Sequence, residues 1–504
     1  MKTLFKGPYK RCSCHVSIVC LFLLSACTAS RNFRADRKFA AETLRADYRV
    51  FRGVLEENHP SIYWYTSKDS LDYYFDAGYA RIKDSMTEIG FRNILNYTIA
   101  KINCGHTTVN YSKELKRHLD TSQLKRFPLS IKLWGDTAVV YANLNRHDTI
   151  LKRGTIITAI DGRPMSFYRD SLIQFLSTDG YNINHKYQTL SGRTSFATLY
   201  KNVFGLKDSF RVSYLDTLFA AHSIQIPVFD PNKDTSLKKI NFPRMSHAER
   251  KQLRLRANNN LVTDTSAKTA LLTINTFTSG DHIKHFIRKS FRKLRQEEIR
   301  FLIIDVRNNG GGDVSNSTLL TKYITDKKFK IADSLYAVSK KSRYGKHIRH
   351  YFRNRVFMAF IAKKREDGKY HYGYFERHYF KPRKTNHFNG DVYAIIGPNS
   401  FSATTLFINS IKGMPNVKII GEETGGGSYG NTAWQIPDVT LPHTKIRFRL
   451  PLFRFVQNSN NPKTGRGIYP DMEVKPTVES IFKGYDVKLE FIRKLIYGEK
   501  LSRR

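Results

Sequence analysis

The sequence predicts an α/β fold: a large domain of helices crossing over a mixed, largely parallel sheet, preceded by an N-terminal helical domain and a small β domain. Three observations predict it. Apolar residues recur at three-to-four spacing before residue 120, short strands with turn signals follow from Pro128, and apolar strands alternate with amphipathic helices after Thr269. A chain of 504 residues also exceeds the roughly 250 that one core fills, so several domains are required.

The first 27 residues stand apart from the rest. A basic start between Lys2 and Arg11 leads to a short apolar run from Val16 to Ala26 that ends Leu23-Leu24-Ser25-Ala26-Cys27. This is the pattern of a secretory signal (1–27), and the run is shorter than the roughly 20 residues of a membrane-spanning helix. Its ending resembles the bacterial lipobox, which implies cleavage before Cys27 and lipid on its thiol. The expectation is an exported chain, lipid-anchored to a bacterial membrane on the periplasmic side. Removal of the signal leaves Cys27 and Cys104, so no intramolecular disulfide is expected. No Cys/His cluster has zinc spacing, and neither metal nor cofactor is expected.

Charge narrows the partners. Lys and Arg number 84 against 43 Asp and Glu, a formal charge of +41. No nucleic-acid-binding module accompanies this excess, so nucleic acid is not an expected partner. The densest stretch, Lys322 to Lys384, holds 19 basic and 5 acidic residues. It reads either as a basic solvated surface or as a face for anionic lipid or an acidic partner.

In order, 28–124 reads as helical, with Phe51, Val54 and Leu55, then Phe91, Ile94, Leu95, Ile99 and Ile102 on one face, and Pro60 closing the first helix. Residues 125–190 read as a compact β domain. Ala138 to Tyr141 is a strand, and Gly154-Thr155-Ile156-Ile157-Thr158-Ala159-Ile160 leads into a turn at Asp161-Gly162, a strand-turn-strand that resembles a PDZ domain. Residues 191–265 are polar and irregular, and read as a variable connection. Residues 266–480 form the α/β domain: strand Ala270 to Ile274, helix Ile283 to Ile299, strand Phe301 to Val306, strand Val392 to Ile396, helix Ser402 to Ile411 and strand Val417 to Ile420. Residues 481–504 form a C-terminal helix.

Two loops leave buried strands of this domain. Asp305-Val306-Arg307-Asn308-Asn309-Gly310-Gly311-Gly312 is polar and glycine-rich, able to point several N–H groups at an anion or an oxyanion. The Lys-Ser/Thr of a phosphate-binding P-loop does not follow it. Gly397-Pro398-Asn399-Ser400-Phe401-Ser402-Ala403-Thr404 enters the next helix, where Ser402 is either an N-cap or a hydroxyl exposed at the end of the sheet. Position alone does not choose between them.

These two loops, followed by Ile420-Gly421-Glu422-Glu423-Thr424-Gly425-Gly426-Gly427, resemble the ordered signatures of the C-terminal-processing and tricorn-core serine peptidases. Glu56-Glu57-Asn58-His59-Pro60, Gly105-His106-Thr107 and Gly467-Ile468-Tyr469-Pro470-Asp471 extend the resemblance over most of the chain. It implies that Ser402 is the nucleophile, with the N–H groups of Gly310, Gly311 and Ala403 as the oxyanion hole. In one branch of the family the base is a lysine, whose position here is Gly427. The resemblance is therefore to the tricorn-like branch, in which His106 takes the role. The supporting acid of that branch falls in Asn461 to Arg466, which holds no carboxylate. Another acid orients His106, or a weaker dyad operates, or the chain is a silent peptide-binding scaffold. Cys104, two residues from His106, reads as a small buried thiol. The implied substrates are unfolded or C-terminal peptide segments of exported proteins.

Overall fold

The computed structural model describes residues 33–234, 245–457 and 463–502. The signal segment, with Cys27, lies outside them. Among the described residues no helix is long and apolar enough to cross a membrane.

A six-stranded sheet organises the C-terminal half, in the order Asn259–Asp264, Thr269–Ile274, Phe301–Asp305, Asp391–Ile396, Val417–Gly421 and Met472–Glu473. The first pair is antiparallel and the remaining four pairs are parallel. Successive side chains of a strand face opposite sides, so each strand feeds two cores. Leu302 and Ile304 join a core with helices Ile283–Gln296, Val314–Ile324 and Ala403–Ile411. Phe301 and Ile303 face the other side, where Ile492 and Ile496 of the helix Val487–Ser502 cover them. Helix Ile283–Gln296 buries Ile283, Ile287, Phe291 and Leu294, a stripe at the helical period, and Phe291 stacks on Tyr323 at 4.3 Å.

The N-terminal helices do not enclose a core of their own. Phe51, Val54 and Leu55 of Ala41–Asn58, with Phe91 and Leu95 of Glu88–Ala100, pack in one cluster with Val439, Leu441, Phe448, Phe453 and Phe455. Asp47, fully buried, accepts from the backbone N–H groups of His443 and Thr444 and from the Thr444 hydroxyl. The strand Val109–Asn110 pairs with Arg447–Arg449. The boundary at 124 therefore separates sequence stretches that share one interior, because the amphipathic helices bury their stripes against the later strands as well as against one another.

The small β unit is likewise larger than 125–190. Strands Leu129–Trp134, Thr137–Asn143 and Ile156–Ile160 continue into Ser209–Leu215 and Ala221–Pro227, all antiparallel. Phe196, Tyr200, Phe210, Val212 and Ile226 complete its core. The stretch read as a variable connection thus supplies two strands of this sheet, and its end, Asn259–Asp264, is the edge strand of the six-stranded one. Its polar residues are the outward half of alternating strands.

Candidate active site

Ser402 stands where strand Asp391–Ile396 turns into helix Ala403–Ile411. Its backbone has φ 56° and ψ −122°, a region that non-glycine residues seldom enter, and its side chain makes no capping hydrogen bond. The N-cap reading therefore falls, and the strained turn lifts the hydroxyl to the mouth of the sheet. Neighbours hold the turn rigidly: the Phe401 N–H donates to Asn309 O at 3.0 Å, Thr404 Oγ1 donates to the same carbonyl at 2.9 Å, and Ser400 Oγ donates to Val306 O at 2.8 Å.

A cleft of about 290 Å³ opens at Ser402, with Gly312, Ala403, Asn431 and Trp434 among its walls. Ala403 is the first residue of its helix, so its N–H has no intrahelical acceptor and faces the positive end of the dipole. Gly311 packs so tightly that a Cβ there would lie 2.6 Å from the Ser402 Cβ. Its N–H, however, already donates to Asn309 Oδ1 at 2.9 Å, which removes it from the expected oxyanion set. Gly312, and not Gly310, lines the cleft beside Ala403. Asn309 escaped notice as the residue that spends its amide oxygen on the glycine turn.

His106 arrives from the other half of the chain. Its ring centroid lies 5.0 Å from that of Phe401, the residue before Ser402. The approach requires glycine at 105, since a Cβ there would meet Phe401 Cζ at 2.4 Å. Neither ring nitrogen of His106 has a hydrogen-bond partner, and the ring is 7% exposed. Burial, with the charges of Arg449, His185, Arg454 and His59 adding to it, lowers its pKa to about 3, so the imidazole is neutral across the physiological range.

No carboxylate falls in Asn461 to Arg466, and the buried carboxylate near His106 is one from the β unit. Asp179, 3% exposed, places Oδ1 3.9 Å from His106 Nδ1. The same oxygen accepts the Gly105 N–H at 2.8 Å, and the Gly180 N–H donates to Asn103 O at 2.9 Å, so the Asp179 turn and the His106 turn are clasped together. Burial raises the Asp179 pKa to about 6, opposed by the Gly105 N–H, the Arg454 charge and the Gly427 N–H. Gly427, which stands where a lysine would be, thus lies beside the acid. A 3.9 Å separation is too long for a hydrogen bond, which agrees with a histidine whose titration is governed by burial rather than by the carboxylate.

The second buried acid of the region serves the scaffold. Glu423, 1% exposed, is held by Arg466 Nε and Nη2 at 3.0 and 2.6 Å and by the Gly467 N–H at 2.8 Å. Cys104 is buried, and its thiol is pushed up to about 11 by burial and by the nearby Asp179 charge, which excludes it as a thiolate nucleophile. Cys104, His106 and Asp179 do carry ligand atoms all within 4.8 Å of one another, a set that would hold a metal ion only by withdrawing His106 from other work.

A strand-helix turn with an uncapped serine, the Ala403 amide at the helix start and a neutral buried histidine are parts from which serine-hydrolase sites are built. Residues 268–474 match the model of peptidase family S41. Over that segment the chain is similar to the peptidases of family S41. In fold it is similar to mature CPAF complexed with lactacystin, at 14% identity with a TM-score of 0.63, covering 90% of this chain and 98% of that one. A second structure of mature CPAF gives 14% identity and 0.62 over 90% and 96%. A putative peptidase from Parabacteroides merdae gives 16% and 0.45 over 90% and 96%. No curated protein matches the chain.

Proposed function

We infer that the chain is an endopeptidase in which Ser402, His106 and Asp179 act as nucleophile, base and orienting acid. The observation that carries this reading is the meeting of His106 and Asp179 beside the Phe401-Ser402 turn, from segments far apart in the chain. In the free chain the three groups are not hydrogen-bonded to one another. A peptide laid along the cleft shuts out water and brings Asp179 about 1 Å closer to Nδ1, the tightening that catalytic contacts commonly undergo on substrate binding. Nδ1–H then donates to Asp179, and Nε2 takes the Ser402 proton as Oγ bonds to the scissile carbonyl carbon. The Ala403 and Gly312 N–H groups face the resulting oxyanion. The imidazolium returns its proton to the departing amine, and water hydrolyses the acyl-serine by the same relay.

Unfolded or C-terminal segments of exported proteins are the substrates this reading favours, since an extended chain pairs with exposed strand edges. The PDZ-like reading of the antiparallel unit and lipid attachment through Cys27 belong to the same proposal. Basic residues between Lys322 and Lys384 would assist contact with anionic lipid. The test is cleavage of an unstructured protein mixture by the chain and by Ser402→Ala, with products read by mass spectrometry. Products confined to the parent, with a fluorophosphonate adduct on Ser402, are expected. A folded parent that yields neither product nor adduct would leave the silent peptide-binding scaffold as the function.

A further inference from the structure

A second groove adjoins the cleft. It encloses about 580 Å³ and shares Gln435 and Ile436 with the walls around Ser402, so the two lie side by side. Arg349, Arg353 and Arg449 line it, all exposed, and none of the three has an ion-pair or side-chain hydrogen-bond partner among the described residues. The one carboxylate on its wall, Asp438, faces Arg447 at 3.5 Å.

The setting makes this concentration of positive charge costly. Arg349 and Arg353 flank the start of the helix Tyr351–Ile361, whose first turn holds no acidic residue and whose N-cap, His350, makes no side-chain cap. Cations at the positive end of a helix dipole repel it, whereas an anion there is stabilised. Elsewhere on the surface arginines pair freely, as Arg52 does with Glu56, Asp72 and Asp76. The field of Arg449 is also felt at His106, which places the groove within electrostatic reach of the base.

We propose that this groove is a specificity subsite for acidic side chains of the peptide substrate, placing Asp or Glu residues that flank the scissile bond against Arg349, Arg353 and Arg449. The inference rests on the peptidase reading only for its consequence in cleavage; recognition itself needs no catalysis. Bidentate pairing of guanidinium with carboxylate supplies selectivity that a generally basic surface would not. Phe357 on the same wall gives the methylene stem of a glutamate an apolar surface.

The experiment measures binding first, by fluorescence anisotropy of extended, C-terminally amidated peptides on the full chain carrying Ser402→Ala. Peptides with Asp or Glu are compared with their Asn and Gln counterparts. The expected result is at least about tenfold tighter binding of the acidic peptides, weakening as salt screens exposed charge. Arg349→Glu/Arg353→Glu, which places acids at a helix start and so favours the helix, is expected to abolish the difference. The unsubstituted chain should show the same preference in kcat/KM. Equal binding of acidic and amide peptides overturns the subsite, whatever the activity. So does a charge-reversed variant that keeps peptide selectivity and loses only adhesion to anionic vesicles, because the groove is then a lipid face. Selective binding without cleavage sustains the subsite and removes the peptidase reading alone.

Discussion

Asp179 is where the proposed chemistry turns on a single atom position. A carboxylate with a pKa near 6 is ionised at neutral pH and protonated in mild acid, and only the ionised form can hold an imidazolium. The acid limb of kcat/KM is therefore expected to fall through an apparent pKa near 6, and Asp179→Asn should remove that limb while lowering kcat by roughly 10² to 10⁴, as loss of a triad acid does. A substitution that changed KM but left the pH profile in place would make Asp179 structural. Gly105→Ala tests the same spot from the other side: its Cβ would displace Phe401, separate His106 from Ser402 and lower kcat, with a much smaller change in thermal unfolding temperature. Ser402 and His106 stood out in the sequence because their neighbours in the chain form motifs. Asp179 did not, since a lone Asp-Gly in a β domain reads as a turn, and only the fold brings it to His106. Gly311 was misread for a similar reason: a glycine sequence tells nothing of which amide its own asparagine will engage.

At the scale of elements, the loops after the strands Phe301–Asp305, Asp391–Ile396 and Val417–Gly421 owe their positions to parallel pairing, which puts all three at the same end of the sheet's strands. Those strands were legible because both faces are buried and the runs are continuously apolar. The strands Ser209–Leu215 and Ala221–Pro227 were not, for one face of each meets water and the polar half masks the alternation. Glu423 ties the third loop to Gly467 and Arg466, and Glu423→Gln leaves that guanidinium without its carboxylate partner. Because Arg466 is about one-third exposed, a cost of about 2 kcal/mol is expected, below that of a fully buried pair. Urea unfolding measures it; an unchanged midpoint would mean that the loop is held by its backbone bonds alone.

For the molecule as a whole, acid is the natural stress. Burial lowers His59 and His106 to about 3 and His185 to about 4, from an ordinary 6.5, so the unfolded chain takes up three protons below pH 6.5 that the folded chain refuses. Asp179 acts in the opposite sense, since the folded chain alone holds its proton between 3.8 and about 6. Near pH 5 the net difference is about two protons, and stability should fall by roughly 3 kcal/mol per pH unit as the solution is acidified. Thermal unfolding across pH 7 to 4.5 checks the sign; a flat profile would show that the imidazoles charge within the fold. The shared interior of early helices and late strands has one more consequence. His106 and Ser402 are about 300 residues apart, and the turn bearing the histidine is steadied by the strand Arg447–Arg449, near the end of the chain. A polypeptide still emerging from a ribosome thus holds His106 and Ser402 without the fold that brings them together. The order of its synthesis keeps the two apart until the strand Arg447–Arg449 is delivered.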